Sequence, residues 1–157
     1  MSETFQYEIM LPSHGVKENK NYPVLIALHG IGYDEKEILS VFEGLKDDFI
    51  LIGIRGNLTY EEGFAYYYLK EYGKPERKLF DRSMEMLLDF IQTVLGKYPI
   101  DPKHIYVAGF SQGAILANSL ALVLGKKISG IVSMNGYVPE FVVEEYPVQK
   151  IDQLAVF

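Results

Sequence analysis

One stretch decides the fold of this 157-residue chain, and it reads Gly109-Phe110-Ser111-Gln112-Gly113. Before it, His104 to Ala108 is a short, largely apolar run that predicts a strand buried on both faces. After it, Gln112 to Leu124 is a longer apolar segment that predicts a core helix. A strand that turns this sharply into a helix leaves no room for side chains at 109 and 113, which explains the two glycines. The stretch therefore predicts a strand, a tight turn at Ser111 and a helix.

The predicted turn gives Ser111 a chemically useful position. It lifts the hydroxyl above the sheet edge and places it at a helix N-terminus, where backbone N–H groups and the helix dipole favour negative charge. A G-x-S-x-G sequence between a strand and a helix is the nucleophile elbow of α/β-hydrolases. We therefore expect Ser111 to be a nucleophile that forms an acyl-enzyme, with Gly109 and Gly113 shaping the elbow.

Outside this stretch, predicted strands and helices alternate along the chain. Such alternation predicts an α/β fold as one domain over residues 1–157, with a mostly parallel sheet and helices on both faces. The elbow motif at Ser111 favours the α/β-hydrolase form of this fold. Asp34, with Glu37 three residues later, is the expected N-cap of a first helix that reaches about Leu45. The other predicted elements are strands at Thr4 to Met10, Pro23 to Leu28, Phe49 to Ile54, Ile128 to Met134 and from Leu154 onward, and a helix at Leu79 to Leu95.

Three segments are predicted to lack helices and strands. Arg55 to Lys78 is rich in glycine, proline and tyrosine and is expected to be irregular. Asp101-Pro102 is expected to be a turn, and Pro139 to Asp152 a loop or a cap segment.

The loop after the first buried strand, Leu28-His29-Gly30-Ile31-Gly32, is the candidate for one side of the oxyanion hole, and we call it the hole loop. In this fold the hole takes one N–H from the residue after the nucleophile and one from this loop, which predicts Gln112 and Ile31. Because both would act through the backbone, we expect their side chains to tolerate substitution, whereas Gly30→Val should be damaging. His29 precedes Ser111, while the fold's order is nucleophile, acid, histidine, so His29 is expected to shape the loop together with Gly30.

The hole loop and the elbow together resemble the phospholipase/carboxylesterase family of α/β-hydrolases, which includes the acyl-protein thioesterases. The likeness runs from the strand at Val24 to the end of the chain. It implies a small cytoplasmic esterase that acts on carboxylic and thio-esters without a cofactor, with Ser111 as the nucleophile and Ile31 and Gln112 as the hole. Where the family has a tryptophan-containing pocket motif, this chain has Gly63-Phe64-Ala65-Tyr66-Tyr67-Tyr68 and no tryptophan.

Other conspicuous side chains have both a structural and a functional interpretation. Tyr66 and Tyr67 either pack in the core or form a wall of an acyl pocket, and Tyr137, which follows a strand at the same sheet edge, is a third candidate for that wall. His14 and His104 are expected at the surface. Three scattered histidines and no cysteine give no metal-ligand spacing, so no metal site is predicted, and the family resemblance implies no cofactor.

Composition narrows the range of partners. The formal charge of −6 and the pI near 5.1 argue against nucleic acid and against docking to an anionic membrane through a basic patch. The longest apolar run, Ala114 to Leu124, is too short to span a bilayer, and the N-terminus has no signal-peptide pattern. The expected partner is therefore the small-molecule ester that the family resemblance implies, and the cytoplasm, implied by the same resemblance, is the expected location.

The catalytic histidine and its acid are not found where the fold requires them. No histidine follows Ser111, and the acids downstream all precede the last apolar run. We therefore expect a domain that is incomplete at its C-terminus, lacks the last strand or strands and the last helix, is inactive alone and can form a homodimer through an uncovered sheet edge. Two alternatives remain: a peptidase or acyltransferase on the same scaffold, and an inactive hydrolase-like binding protein.

Overall fold

A computed structural model gives the structure of residues 3–157, whose centre is a sheet of six strands. Short hairpins between the third strand and the second helix supply the remaining strands. In chain order the strands are β1 (Tyr7–Met10), β2 (Tyr22–Leu28), β3 (Ile50–Ile54), β4 (Leu58–Tyr60), β5 (Gly63–Ala65), β6 (Leu69–Glu71), β7 (Lys74–Pro75), β8 (Ile100–Phe110), β9 (Gly130–Met134) and β10 (Ala155–Val156).

The strand order of the large sheet is β1-β3-β2-β8-β9-β10. Every neighbouring pair is parallel except β1 with β3, which is antiparallel. Because parallel neighbours end at the same edge, the carboxyl ends of β2, β3, β8 and β9 come together. The mostly parallel sheet predicted from the alternating pattern is confirmed, and β2 and β8 place the hole loop beside the elbow.

Helices cover both faces of this sheet, as predicted. Val24, Ile26 and Leu28 of β2 belong to the larger core, which also contains apolar side chains of α2 and α3. The intervening Leu25 points to the opposite face and packs with Leu39 of α1. The helices are α1 (Glu35–Val41), α2 (Arg77–Lys97), α3 (Gln112–Leu124) and α4 (Glu140–Glu145).

The start of α1 follows the predicted capping pattern. The Asp34 carboxylate accepts hydrogen bonds from the N–H groups of Lys36 and Glu37, both at 2.9 Å, which satisfies two N–H groups of the first turn. The helix itself ends at Val41, and a 3₁₀ turn over 43–45 carries the helical course to Leu45.

Three of the segments predicted to be irregular contain regular structure. The Arg55 to Lys78 segment holds two antiparallel hairpins, β4 with β5 and β6 with β7, whose strands of two or three residues are too short to show a period of two. Asp101-Pro102 lies inside β8, in an irregularity where the four residues 101–104 of β8 lie opposite the single residue Pro23 of β2. Pro139 to Asp152 contains α4, a helix of 6 residues that starts directly after Pro139.

The last apolar run forms the predicted strand. β10 pairs in parallel with β9, with Ala155 opposite Gly130 and Val156 opposite Ile131. The N–H of Phe157 donates to the carbonyl of Ile131 at 3.0 Å, which extends the ladder by one residue.

Candidate active site

Ser111 lies at the turn between β8 and α3 in a rarely populated backbone conformation, with φ 52° and ψ −112°. A non-glycine residue at positive φ of this kind costs of order 1–3 kcal/mol and persists only where the surroundings impose it. At Ser111 the surroundings are the closely packed backbone at Gly109 and Gly113. A Cβ on Gly109 would lie 2.2 Å from the carbonyl oxygen of Gly113, and a Cβ on Gly113 would lie 2.1 Å from that of Leu28. A side chain at either position would therefore collide with backbone.

The Ser111 hydroxyl is partly exposed at the N-terminus of α3, a helix of 13 residues. Within residues 3–157 it neither caps the helix nor bonds to another side chain. The Ser111 N–H, in contrast, donates to the carbonyl of Met134 at 2.8 Å, which ties the turn to the end of β9. The backbone of the serine is thus fixed while its oxygen stays available for chemistry.

The hole loop is held by the β4–β5 hairpin. The Gly32 N–H donates to the carbonyl of Phe64 at 2.8 Å, and the Phe64 N–H donates to that of Tyr33 at 2.9 Å. Only glycine fits at position 63, since a Cβ there would lie 2.1 Å from the Gly32 carbonyl oxygen. Across the part of the chain that the structure describes, the N–H groups of Ile31 and Gln112 donate to no protein acceptor.

His29 is buried beneath the hole loop, and both of its ring nitrogens are occupied. Its Nε2 accepts a hydrogen bond from the Gly56 N–H at 2.9 Å, and its Nδ1 lies 2.7 Å from the carbonyl oxygen of Gly30. An Nε2 that accepts and an Nδ1 that donates define a neutral imidazole. Burial lowers the pKa of His29 below its ordinary value, despite the nearby Gly30 carbonyl and Glu35 carboxylate. The two ring contacts link the loop at Gly30 to the segment after β3 at Gly56.

The other two histidines lie at the opposite edge of the sheet. His104 is near the start of β8, where its Nδ1 lies 2.8 Å from a carboxylate oxygen of Asp101. His14 is exposed in the loop that leads into β2. In the described range, 3–157, no group of three or more His, Cys, Asp or Glu side chains is placed to hold a metal ion.

The three tyrosines proposed as pocket walls lie in different environments. Tyr66 has no accessible surface: its hydroxyl donates to the Ile54 carbonyl at 2.6 Å, and its ring stacks on His29 with centroids 4.7 Å apart. Tyr67 is equally buried, and its hydroxyl has no hydrogen-bond partner within residues 3–157. Neither ring can therefore line an open groove. Tyr137 is exposed, and its hydroxyl donates to the Gly73 carbonyl at the tip of the β6–β7 hairpin.

An open groove of about 330 Å³ does lie beside the elbow, between the hole loop and α1. Its surface is mainly apolar, with a carboxylate and a hydroxyl from α1 at its rim. Two residues of its lining were not predicted from sequence: Phe110, which directly precedes the serine, and Met134, at the end of the neighbouring strand. The groove is lined by His29, Gly30, Tyr33, Glu37, Ile38, Ser40, Val41, Phe110 and Met134.

The Gln112 side chain corrects one expectation. It is only 4% exposed, its Oε1 accepts a hydrogen bond from the Tyr66 N–H at 2.7 Å, and its Nε2 donates to the Tyr67 carbonyl at 2.8 Å. Removing it would leave two buried backbone groups without partners, so substitutions at this side chain should not be tolerated. These contacts could not be predicted from local sequence, because the partners are backbone atoms 45 and 46 residues away.

Comparison with known sequences identifies a family. Residues 15–146 match the family model described as Phospholipase/Carboxylesterase. Acyl-protein thioesterase 1 of Candida albicans is 34% identical over 89 residues, which are 52% of this chain and 38% of that protein. Acyl-protein thioesterase 1 of Debaryomyces hansenii is 31% identical over 79 residues, 48% of this chain and 34% of that protein. The chain spans between 34% and 58% of the length of the curated relatives that it matches.

Solved structures agree with this match at the level of the fold. A carboxylesterase from Bacillus cereus superposes with a TM-score of 0.79 at 21% identity, covering 98% of this chain and 68% of that one. A carboxylesterase from Mesorhizobium loti gives a TM-score of 0.80 at 19% identity, covering 99% and 71%. The chain therefore has the α/β-hydrolase fold. Among residues 3–157, no helix combines the length and the apolar character needed to cross a bilayer.

Proposed function

Because this chain belongs to the phospholipase/carboxylesterase family, we propose that it supplies the nucleophile and the oxyanion hole for hydrolysis of small carboxylic or thio-esters. In this proposal Ser111 attacks the ester carbonyl and forms an acyl-enzyme. The N–H groups of Ile31 and Gln112 then bind the oxygen on which negative charge develops.

One observation carries the proposal, namely the conformation of Ser111. The residue has a strained backbone, packed between two glycines that cannot carry a Cβ, and its hydroxyl is unbonded within the described residues. A structural serine at a helix N-terminus would relax and cap the helix with its oxygen. Here the backbone holds the oxygen away from the cap position, which is what a nucleophile requires.

The oxyanion donors are supported by their unused N–H groups. Two backbone N–H groups that find no acceptor among residues 3–157 follow neighbouring parallel strands, one in the loop after β2 and one at the first position of α3. A donor aimed at the developing oxyanion typically contributes about 3–4 kcal/mol of transition-state stabilisation. Two such donors would make acyl transfer the reaction that this site favours.

The serine also needs a general base, since its hydroxyl is a weak nucleophile at neutral pH. None of the three histidines in the chain is placed for this role. Both ring nitrogens of His29 bind backbone groups, and His14 and His104 lie at the amino ends of the strands. The proposal therefore assigns the nucleophile and the hole to the described residues and assigns no base among them.

The test is covalent labelling of the purified chain with a fluorophosphonate, with and without added imidazole as an external base. We expect a single adduct on Ser111 by peptide mass spectrometry, a labelling rate that rises with imidazole, and no adduct in Ser111→Ala. Ser119, which is buried on the same helix, is the internal control and should stay unmodified. A folded chain that acquires no Ser111 adduct even with imidazole would refute the proposal and favour a binding protein on this scaffold.

A further inference from the structure

We propose that Tyr66 and the side-chain amide of Gln112 form a brace that fixes the two oxyanion donors relative to each other. Both are then positioning residues for the proposed hydrolysis, and the inference rests on that proposed function. Loops leave this sheet edge after β2, β3, β8 and β9, and Tyr66 belongs to the one after β3.

The first half of the brace runs from the elbow to the Tyr66-Tyr67 peptide. The Gln112 amide uses its oxygen to accept from the Tyr66 N–H and its nitrogen to donate to the Tyr67 carbonyl, at 2.7 and 2.8 Å. Two bonds of opposite polarity fix both the position and the plane of the amide. Neither Glu nor Met can replace it at neutral pH, since an ionised Glu has no donor, and Met has no donor and only a weak sulfur acceptor.

The second half runs from Tyr66 to the hole loop. The Tyr66 hydroxyl donates to the Ile54 carbonyl and accepts from the His29 N–H at 3.2 Å, while its ring lies flat against the His29 imidazole. The Ser83 hydroxyl of α2 donates to the Tyr66 carbonyl, which fixes the backbone at Tyr66 to that helix. Tyr66 thus contacts both sides of the oxyanion hole. It holds His29, which lies two positions before the Ile31 donor, and it holds the side chain of Gln112, whose own N–H is the second donor.

Direct packing between the two loops does not replace this brace. Gly113 lies against the carbonyl oxygen of Leu28, which sets how closely the elbow approaches the loop. Such packing is not directional, whereas hydrogen bonds lose strength steeply as they misalign. The brace therefore supplies the orientation of the donors.

Orientation matters because the donors must lie about 2.7–3.1 Å from the oxyanion, not from the ground-state carbonyl. A displacement of 1 Å at a catalytic group can lower the rate by about 10²-fold. Loss of the brace should therefore slow the chemical step while substrate binding in the groove is little changed, because ground-state binding does not depend on these two N–H groups.

The test compares Gln112→Met and Gln112→Glu with Ser119→Ala, a control that removes a buried hydrogen bond from the same helix, away from the elbow. The readout is imidazole-assisted phosphonylation of Ser111, separated into its maximal rate and its half-saturation concentration. For Gln112→Met we expect a maximal rate lower by about 10²-fold with half-saturation unchanged. Ser119→Ala should label at nearly the wild-type rate.

Gln112→Glu gives a signature that a purely structural role would not. An ionised Glu cannot donate to the Tyr67 carbonyl, but a protonated one can. Its rate relative to the wild type should therefore rise as the pH falls through the pKa of the introduced carboxyl. A Gln112→Met protein that folds and labels at the wild-type rate, or a Gln112→Glu ratio that is independent of pH, would overturn the brace.

Amide hydrogen exchange separates failure of the brace from failure of the proposed function, because it needs no reaction. In Gln112→Met we expect at least tenfold faster exchange of the Tyr66 and Gly32 amides, with the amides of β2 unchanged. Unchanged Gly32 exchange would contradict the brace even if Ser111 never reacts. Should Gln112→Met not fold, Tyr66→Phe removes only the hydroxyl bonds to Ile54 and His29, and it should lower the labelling rate by about tenfold with Gly32 exchange again faster.

Discussion

At the scale of single residues, the site combines a strained serine with a buried neutral histidine. Ser111 has a positive φ because the backbone packs closely on both sides of it, at Gly109 and Gly113. His29 is kept neutral by burial and by the Gly56 N–H that occupies its Nε2. Each feature lowers stability or makes it depend on pH, and each has a measurable consequence.

The strain at Ser111 predicts an unusual stability order. Ser111→Ala keeps the Cβ and therefore the strain, whereas Ser111→Gly removes a cost of order 1–3 kcal/mol against an entropic penalty of about 0.5–1 kcal/mol. We expect Ser111→Gly to be more stable than Ser111→Ala by about 1 kcal/mol in urea denaturation. Both variants should lose fluorophosphonate labelling. An alanine variant that is the more stable of the two would show that the backbone is not strained.

Burial of neutral His29 predicts a loss of stability in mild acid. Its folded pKa lies below its ordinary value, so as the pH falls below about 6.5 the unfolded chain binds a proton that the folded chain does not. The free energy of unfolding should then fall by up to about 1.4 kcal/mol per pH unit until the folded pKa is reached. Below that pKa this contribution to the slope ends.

The measurement is urea denaturation across this pH range for the wild type and two histidine variants. His29→Gln should have a shallower pH dependence than the wild type, because Gln does not titrate. His14→Gln, which replaces an exposed histidine in the loop that leads into β2, is the matched control. Equal slopes for the wild type and His29→Gln would rule out a buried neutral histidine.

At the scale of elements, the strand-turn-helix unit from β8 to α3 depends on two glycines, Gly109 and Gly113. A Cβ on Gly113 would meet backbone at 2.1 Å, which no side-chain rotation can relieve, whereas a Cβ on Gly96 near the end of α2 would meet nothing within 4 Å. We expect Gly113→Ala to prevent stable folding and Gly96→Ala to stabilise by up to about 1 kcal/mol. Thermal unfolding of the pair checks this, and a cooperative transition in Gly113→Ala near that of the wild type would contradict it.

The elements also show what could be predicted from sequence. Long periodic segments such as α2 and α3, the capped start of α1 and the strands around the elbow were predictable, because their signals are local. The hairpins between β3 and α2 and the short α4 were missed because each has too few residues to establish a period. The Gln112 side-chain contacts were missed because they depend on which loop folds over the elbow.

At the scale of the whole molecule, the sheet has one antiparallel edge at β1 and a short parallel edge at β10. At the β10 edge, Val156 is 64% exposed and Phe157 is 75% exposed. An apolar strand with unpaired backbone groups is a template for pairing with another strand.

This edge predicts self-association. We expect the mass measured by light scattering after gel filtration to rise with concentration towards that of a dimer. Val156→Lys, which places a charge on the edge, should shift the protein towards the monomer. Val138→Lys is the matched control at an exposed valine away from β10 and should not do so. A wild-type chain that stays monomeric at all concentrations would exclude association through β10.

The central claim is that the Ser111 oxygen and the N–H groups of Ile31 and Gln112 converge on one point. The crystal structure of the fluorophosphonate adduct tests this most directly, because the phosphoryl oxygen then stands where the oxyanion would form. We predict that it lies within about 3.1 Å of both nitrogens, with phosphorus bonded to the Ser111 Oγ. A phosphoryl oxygen that points into solvent, with neither N–H within hydrogen-bond distance, would contradict the claim.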